Sequence, residues 1–269
     1  MVYFTKMHGL GNDYIYLDGM GAPLPEDLPA LSRRLSHRHF GIGGDGIICM
    51  LPSHEADVRM RIFNADGSEG EMCGNGIRCV GKLLADLGYI AGDTITVETL
   101  AGVRGLTLHR RGGAVESVTV DMGRPVVSAL LTLDIGQTAY QVTPVSMGNP
   151  HAVLFLTGID TLDLPALGPH FERHSAFPNR TNTEFIQVIR PDLIAMRVWE
   201  RGSGETMACG TGACAALAAG VARGYTARRA VVRLLGGDLS IDWSEREDRI
   251  YMTGPAVTVY KGEVDDGCH

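Results

Sequence analysis

The sequence predicts an α/β protein of the α+β type, built as two similar halves that each enclose one helix in their own sheet. Three observations predict it. Shifted by 136 positions, about half of its 269 residues, the stretch 58–91 falls without a gap on 194–227, and nine of those 34 positions are identical. Most other segments are short, β-branched and punctuated by Gly and Pro, as strands are. Only two stretches have the length and apolar spacing of a long helix, and both start inside the repeated part.

Taken in order, strands are expected at 14–17, 58–63, 94–99, 115–121, 152–156, 184–188, 194–199, 230–234, 239–243 and 257–260. The helices are expected at 76–87 and 212–223, and each ends at a Gly-Tyr pair, Gly88-Tyr89 and Gly224-Tyr225, with Gly where a left-handed cap belongs. Both helices are rich in Ala, Gly and Leu with few charges, so each should be buried all round. The echo continues outside the aligned window, in Leu100-Ala-Gly102 against Leu235-Gly-Gly237 and in the turns Gly11-Asn12 and Gly148-Asn149. The tract Arg110-Arg111-Gly-Gly then marks a boundary near 116, giving an N-terminal half 1–116 and a C-terminal half 117–257. The sequence leaves open whether the tail 258–269 returns to the first half.

A net charge of −7, with 24 scattered Lys and Arg against 31 Asp and Glu, argues against a nucleic-acid partner and for a small molecule. The first residues carry Lys6, His8, Asn12 and Asp13 where a signal peptide needs an apolar core. The most apolar tract, ACAALAAGVA, is too short to cross a bilayer. No membrane association is expected, and a cytoplasmic location would keep the six cysteines reduced. Their spacing forms no paired knuckle of a zinc site, so no metal is expected.

The chemistry should lie where the repeat places a cysteine. The two centres read NADGSEGEMCGNGIRC and ERGSGETMACGTGACA, so Cys73 and Cys209 each precede Gly-x-Gly at a helix start. Unpaired amide hydrogens and the positive end of the helix dipole converge there, which should lower a thiol pKa from about 8.5 toward neutrality. The glycines also let the amides of Gly74-Asn75 and Gly210-Thr211 approach an anion such as a carboxylate. A carbon flanked by two such thiols could lose a hydrogen on one face and gain one on the other. Cys49, Cys79 and Cys214 read as small core residues, and Cys268 sits in a polar tail with no evident role.

The chain resembles the diaminopimelate epimerase family over essentially its whole length, through KMHGLGNDYIYLD, HFGIGGDGI, RIFNADGSEGEMCGNGIRC, MGNPHAV, RTNTEFIQV and ERGSGETMACGTGACA in that order. The resemblance implies two pseudo-symmetric halves, each a mostly antiparallel β-barrel around a central helix, with substrate in the cleft between them. It implies a cofactor-independent conversion of LL-2,6-diaminopimelate to the meso isomer, in lysine and peptidoglycan precursor synthesis. Cys73 and Cys209 take the places of the thiolate base and thiol acid, and His151 that of an auxiliary histidine near the reacting centre. Asn12, Asn64, Asn149 and Asn182 match substrate-binding asparagines, while Glu200, Arg201 and the amides of Gly74, Asn75, Gly210 and Thr211 complete the pocket. A homodimer is implied, with Tyr260 at its interface.

These roles suit a diamino diacid. Arg201 can grip a carboxylate with its planar fork, asparagines supply donors and acceptors, and Glu200 can accept from the reacting ammonium. One departure stands out: some members carry glutamine at the place of Gly46, and glycine removes that contact. Pyridoxal phosphate chemistry needs a Schiff-base lysine, and Lys6, Lys82 and Lys261 have no glycine-rich phosphate setting. Proline and histidine racemases keep two cysteines but differ around them. A redox sensor with the same thiols would show no turnover when reduced.

Overall fold

The computed structural model describes residues 1–265, and Cys268 lies outside them. The chain divides into two compact units, Met1–Val120 together with the chain from Gly254 onward, and Asp121–Thr253. Among the described residues there are nineteen strands and four α-helices.

Unit 1 opens with β1 (Val2–Gly9) and β2 (Asn12–Asp18), an antiparallel hairpin. Its two turn residues, Leu10 and Gly11, have φ of 59° and 85°, as a two-residue turn of this hand requires. Then follow α1 (Leu28–Ser36), β3 (Gly46–Leu51), β4 (Val58–Asn64), β5 (Glu69–Gly70), α2 (Gly74–Asp86), β6 (Thr94–Thr99), β7 (Gly102–Arg111) and β8 (Ala114–Gly123). The pairs β2–β3 and β4–β6 are parallel, and β3–β4, β4–β5, β6–β7 and β7–β8 are antiparallel.

Unit 2 repeats this order with β9 (Val126–Val127), β10 (Leu131–Ile135), β11 (Thr138–Ser146), β12 (Pro150–Phe155), α3 (Leu164–Glu172), β13 (Asn182–Arg190), β14 (Leu193–Glu200), β15 (Gly204–Glu205), α4 (Gly210–Ala222), β16 (Arg229–Leu234), β17 (Gly237–Ser244) and β18 (Arg249–Pro255). Here β12–β13 and β14–β16 are the parallel pairs, in the places of β2–β3 and β4–β6. The last strand, β19 (Val257–Val264), pairs antiparallel with β1.

Each unit wraps a helix. In unit 1, α2 touches both β1 and β7, which lie toward opposite ends of the strand order, so the sheet curls around it. In unit 2, α4 likewise touches β9, β11, β12, β13, β16 and β17. Leu83 and Leu84 of α2 and Cys214 to Ala219 of α4 are at most 1% exposed. Both helices end alike: Tyr89 and Tyr225 donate back to the carbonyls of Leu84 and Gly220, and Gly88 and Gly224 take φ of 79° and 71°. That is the Schellman closure, which glycine enters without strain.

Strand β2 shows how one segment serves both layers. Tyr14 and Tyr16 lie on one face, where Tyr16 Oη donates to the Gly76 carbonyl of α2 at 3.2 Å. Ile15 and Leu17 lie on the other and pack with Leu28, Leu31 and Leu35 of α1. Each such buried side chain stabilises by roughly 1.5–3 kcal/mol.

Two features differ from expectation. The helices α1 and α3 were unanticipated, although Asp-Leu-Pro-Ala-Leu occurs at both 27–31 and 163–167, the same 136-residue shift. Asp27 and Asp163 cap them by accepting from the amides of Ala30 and Ala166, at 2.9 and 3.1 Å. The Arg110-Arg111-Gly-Gly tract is the turn of the β7–β8 hairpin, with φ of 59° and 86° at Gly112 and Gly113. The division falls after Val120, within the same strand β8 as the expected boundary near 116.

Candidate active site

The repeated Arg and Glu explain how each cysteine is delivered. Arg61 on β4 makes a two-point pair with Glu69 on β5, at 2.7 and 3.0 Å, and Arg197 with Glu205 does the same at the same distances. Each pair clamps the strand to the short segment that runs into the cysteine. Cys73 and Cys209 are then the N-caps of α2 and α4, both with extended backbone.

In unit 1, the amide of Gly76 donates to Cys73 Sγ at 3.3 Å. The thiol itself donates to Asn12 Oδ1 at 3.2 Å. Asn12 stands just past the β1–β2 turn and is held by Asp45, whose Oδ2 accepts from Asn12 Nδ2 at 2.7 Å and from the Asp13 amide at 3.1 Å. Behind it Arg38 bridges Asp45 and Asp13, and Lys6 Nζ bonds Asp13 Oδ2 at 2.5 Å and the Gly43 carbonyl. Burial alone would raise the Asp13 carboxyl; the Arg38 and Lys6 bonds outweigh it and hold it below the usual range. Asn75 is buried, with Oδ1 accepting from Arg78, so a ligand would meet its backbone amide rather than its side chain.

Asn64, at the end of β4, donates to Ser68 Oγ at 3.0 Å and pairs in register with Gly46. The backbones are so close there that a Cβ on Gly46 would lie 2.1 Å from the Phe63 carbonyl oxygen. Glycine is therefore required by the packing of β3 on β4, whatever contact a longer side chain would offer.

In unit 2, Cys209 is 4% exposed, and its Sγ lies 3.6 Å from Thr211 Oγ1. Glu200, which the repeat aligns with Asn64, accepts from Thr206 Oγ1 at 2.5 Å. His151 is 1% exposed and spans two partners, Glu184 Oε1 at 2.7 Å from Nδ1 and Asn149 Oδ1 at 3.0 Å from Nε2. Asn149 Nδ2 donates to Thr211 Oγ1 at 3.3 Å. Asn182 pairs with His151 across the parallel strands, donates to the Pro150 carbonyl and accepts the Arg201 amide at 2.9 Å. The Arg201 guanidinium is exposed and bonds the Asn179 carbonyl.

The expected lowering of the thiol pKa does not hold at Cys209. Burial pushes it well above the ordinary value, and the nearby carboxylates of Glu200 and Glu184 push it further. The helix end contributes at most about 2 kcal/mol, whereas full burial can shift a group by several pKa units, so burial wins. Burial raises the Glu200 carboxyl too, against the lowering bonds from Thr206 and Cys209. Cys209 thus rests as a thiol.

The diaminopimelate epimerase family profile matches residues 4–128 and 143–259. A diaminopimelate epimerase of Methanococcus maripaludis is 52% identical, covering 97% of this chain and 99% of its own, and one of Desulfovibrio desulfuricans is 53% identical, covering 97% of each. The chain belongs to the diaminopimelate epimerase family. Membership in the diaminopimelate epimerase family makes it an isomerase. The fold is shared more widely than that family: a probable proline racemase of Agrobacterium radiobacter superposes with a TM-score of 0.75 at 19% identity, over 99% of this chain and 93% of its own. A Bacillus anthracis phenazine biosynthesis protein of the PhzF family gives 0.73 at 18%, over 98% of each.

Among the residues carried over from the diaminopimelate epimerase family, Cys73 and Asn12 are in contact in unit 1, and Cys209, Thr211, Asn149 and His151 form one hydrogen-bonded group in unit 2. Asn182 and Arg201 meet through the Arg201 amide. Tyr260 is 45% exposed on β19 and stacks edge-on against Phe4. Sequence reasoning missed Asp45 and Glu184. The strand that carries Glu184, NTEFIQV, mixes polar with apolar residues and gives no signal that this carboxylate is buried. No described helix is long and apolar enough to cross a membrane.

Proposed function

We propose that this chain epimerises LL-2,6-diaminopimelate to the meso isomer without a cofactor, using Cys73 and Cys209 as an exchanging base and acid. The observation that carries the reading is the duplicated cysteine at a helix start, in a chain about half identical to named diaminopimelate epimerases over nearly its full length. One thiolate removes the α-hydrogen, and the other thiol returns one to the opposite face. The amides at the starts of α2 and α4, Gly74-Asn75 and Gly210-Thr211, bind the carboxylate beside the reacting carbon. Asn12, Asn64, Asn149 and Asn182 orient the substrate, Glu200 accepts from the reacting ammonium, and Arg201 recognises the distal carboxylate. His151 supports the reacting centre through Asn149.

The same reading places the enzyme in the cytoplasm, in lysine and peptidoglycan precursor synthesis, and as a homodimer. Tyr3, Val257, Val259 and Tyr260 are exposed on the paired strands β1 and β19, which leaves apolar side chains for a second copy to cover. Light scattering of wild type against Tyr260→Ala tests this; a wild-type monomer would refute it. For the reaction, reduced protein is incubated with LL-diaminopimelate in deuterated water. The meso isomer carrying α-deuterium is expected, and absence of both inversion and label would rule the reading out. Cys73→Ala and Cys209→Ala should each abolish inversion.

A further inference from the structure

Glu184 has no part in the reaction as described, yet the fold buries it beside the reacting thiol. It is 0% exposed, and its Oε2 has no hydrogen-bond partner among the described residues. A Cβ on Gly212 would lie 2.7 Å from Glu184 Oε1, so α4 gives up a side chain to admit the carboxylate. A buried carboxylate is costly unless paired, and its one bonded oxygen is committed to His151 at 2.7 Å.

From His151 a chain of hydrogen bonds runs on to the sulfur, through Asn149 at 3.0 Å, Thr211 at 3.3 Å and Cys209 at 3.6 Å. The direction of each link follows from the one before. Glu184 Oε1 engages Nδ1, and Asn149 faces Nε2 with Oδ1, so Nε2 carries a hydrogen. That hydrogen needs an acceptor, so Asn149 turns Oδ1 toward it and Nδ2 toward Thr211. Thr211 Oγ1 accepts there, leaving its hydroxyl hydrogen for the sulfur. The arm from His151 to Cys209 therefore has a single polarity.

Resting on the epimerase reading above, we infer that Glu184 is a positioning residue: it fixes the polarity of this chain, so that Thr211 presents its hydrogen to the Cys209 sulfur and steadies it when its own proton leaves. The charged and titratable groups around that sulfur are Glu200 on β14, Glu184 on β13 and, through Asn149 and Thr211, His151 on β12. Two effects of Glu184 oppose each other there. Its charge acts through space against the thiolate, while the oriented hydroxyl acts for it. The oxygen that faces α4, Oε1, is the one bonded to His151, which weakens the first effect and leaves the second.

Site-resolved alkylation with iodoacetamide across pH, read by peptide mass spectrometry on the full chain, measures the ionisation midpoint of Cys209 with Cys73 as internal control. In Glu184→Gln the amide can offer either oxygen or N–H to Nδ1, so the polarity is no longer imposed. The Cys209 midpoint should rise by about one pH unit, the size of one hydrogen bond to a charged sulfur. Cys73 should not move, and kcat should fall about tenfold, with KM little changed, in the direction that uses Cys209 as base. A lower midpoint would show Glu184 acting as a bare charge and would overturn the inference, as would no change. Thr211→Val removes the last link without touching Glu184 and should raise the midpoint as well; adding Glu184→Gln to it should add nothing further. An unmoved midpoint in Thr211→Val, or an undiminished Glu184→Gln effect in that background, also overturns it. Wild-type protein without turnover would instead sink the epimerase reading, since the alkylation midpoints are read without substrate.

Discussion

The thiol of Cys73 lies 3.2 Å from Oδ1 of Asn12, and Asn12 is turned that way by Asp45, whose carboxylate accepts from the other end of the same amide at 2.7 Å. An asparagine amide has two distinguishable ends, and the carboxylate decides which one faces the sulfur. Asp45→Ala should therefore cost roughly tenfold or more in kcat through misplacement of Asn12. Asp45→Asn, which keeps an acceptor, should recover part of it. Steady-state kinetics on the two variants checks this, and equal activity of Asp45→Ala and wild type would refute it.

Gly46→Gln tests whether the glycine is a missing contact or a packing requirement. With the Cβ position 2.1 Å from the Phe63 carbonyl oxygen, the variant should lose about 1–3 kcal/mol of stability. Urea denaturation gives the answer, and a variant as stable as wild type with a lower KM would contradict the packing account.

Alkaline pH should destabilise the fold. Burial pushes the Cys49 thiol up to about 12 and the Cys79 thiol up to about 11. Above pH about 8.5 the unfolded chain releases these protons while the folded chain still holds them, so the unfolded state binds fewer protons and stability declines as pH rises. The decline is up to about 1.4 kcal/mol per pH unit for each cysteine, and it ends once the folded value is passed. Denaturation at pH 8, 9 and 10 should show a shallower slope in Cys79→Ala than in wild type; an identical slope would refute the assignment.

The caps of α1 and α3 should be equivalent. Asp27→Ala and Asp163→Ala each leave an amide at the helix start without its acceptor, at about 1 kcal/mol apiece. Chemical denaturation of the two variants checks both the size and the match between them.

The paired cysteines, the helices they cap and the Schellman ends were legible in the sequence because each rests on residues close together in the chain and repeated 136 positions on. The helices α1 and α3 were repeated as well, but each spans only nine residues and carries proline in its first turn, which reads as turn punctuation. Strands such as β7 and β10 were missed because alternate exposed residues dilute their apolar pattern. Glu184 was out of reach for another reason: its burial depends on Gly212 and His151, which arrive from other elements. The Cys209 pKa was misjudged because the helix start is a local feature, whereas burial and two carboxylates are not.

The two-thiol account is tested most directly by where solvent deuterium appears at early times. In deuterated water, LL-diaminopimelate should give meso product carrying one α-deuterium while the remaining LL substrate stays unlabelled, because the thiol that returns the hydrogen is not the one that removed it. Label entering recovered substrate as fast as product, or product formed without label, would contradict it.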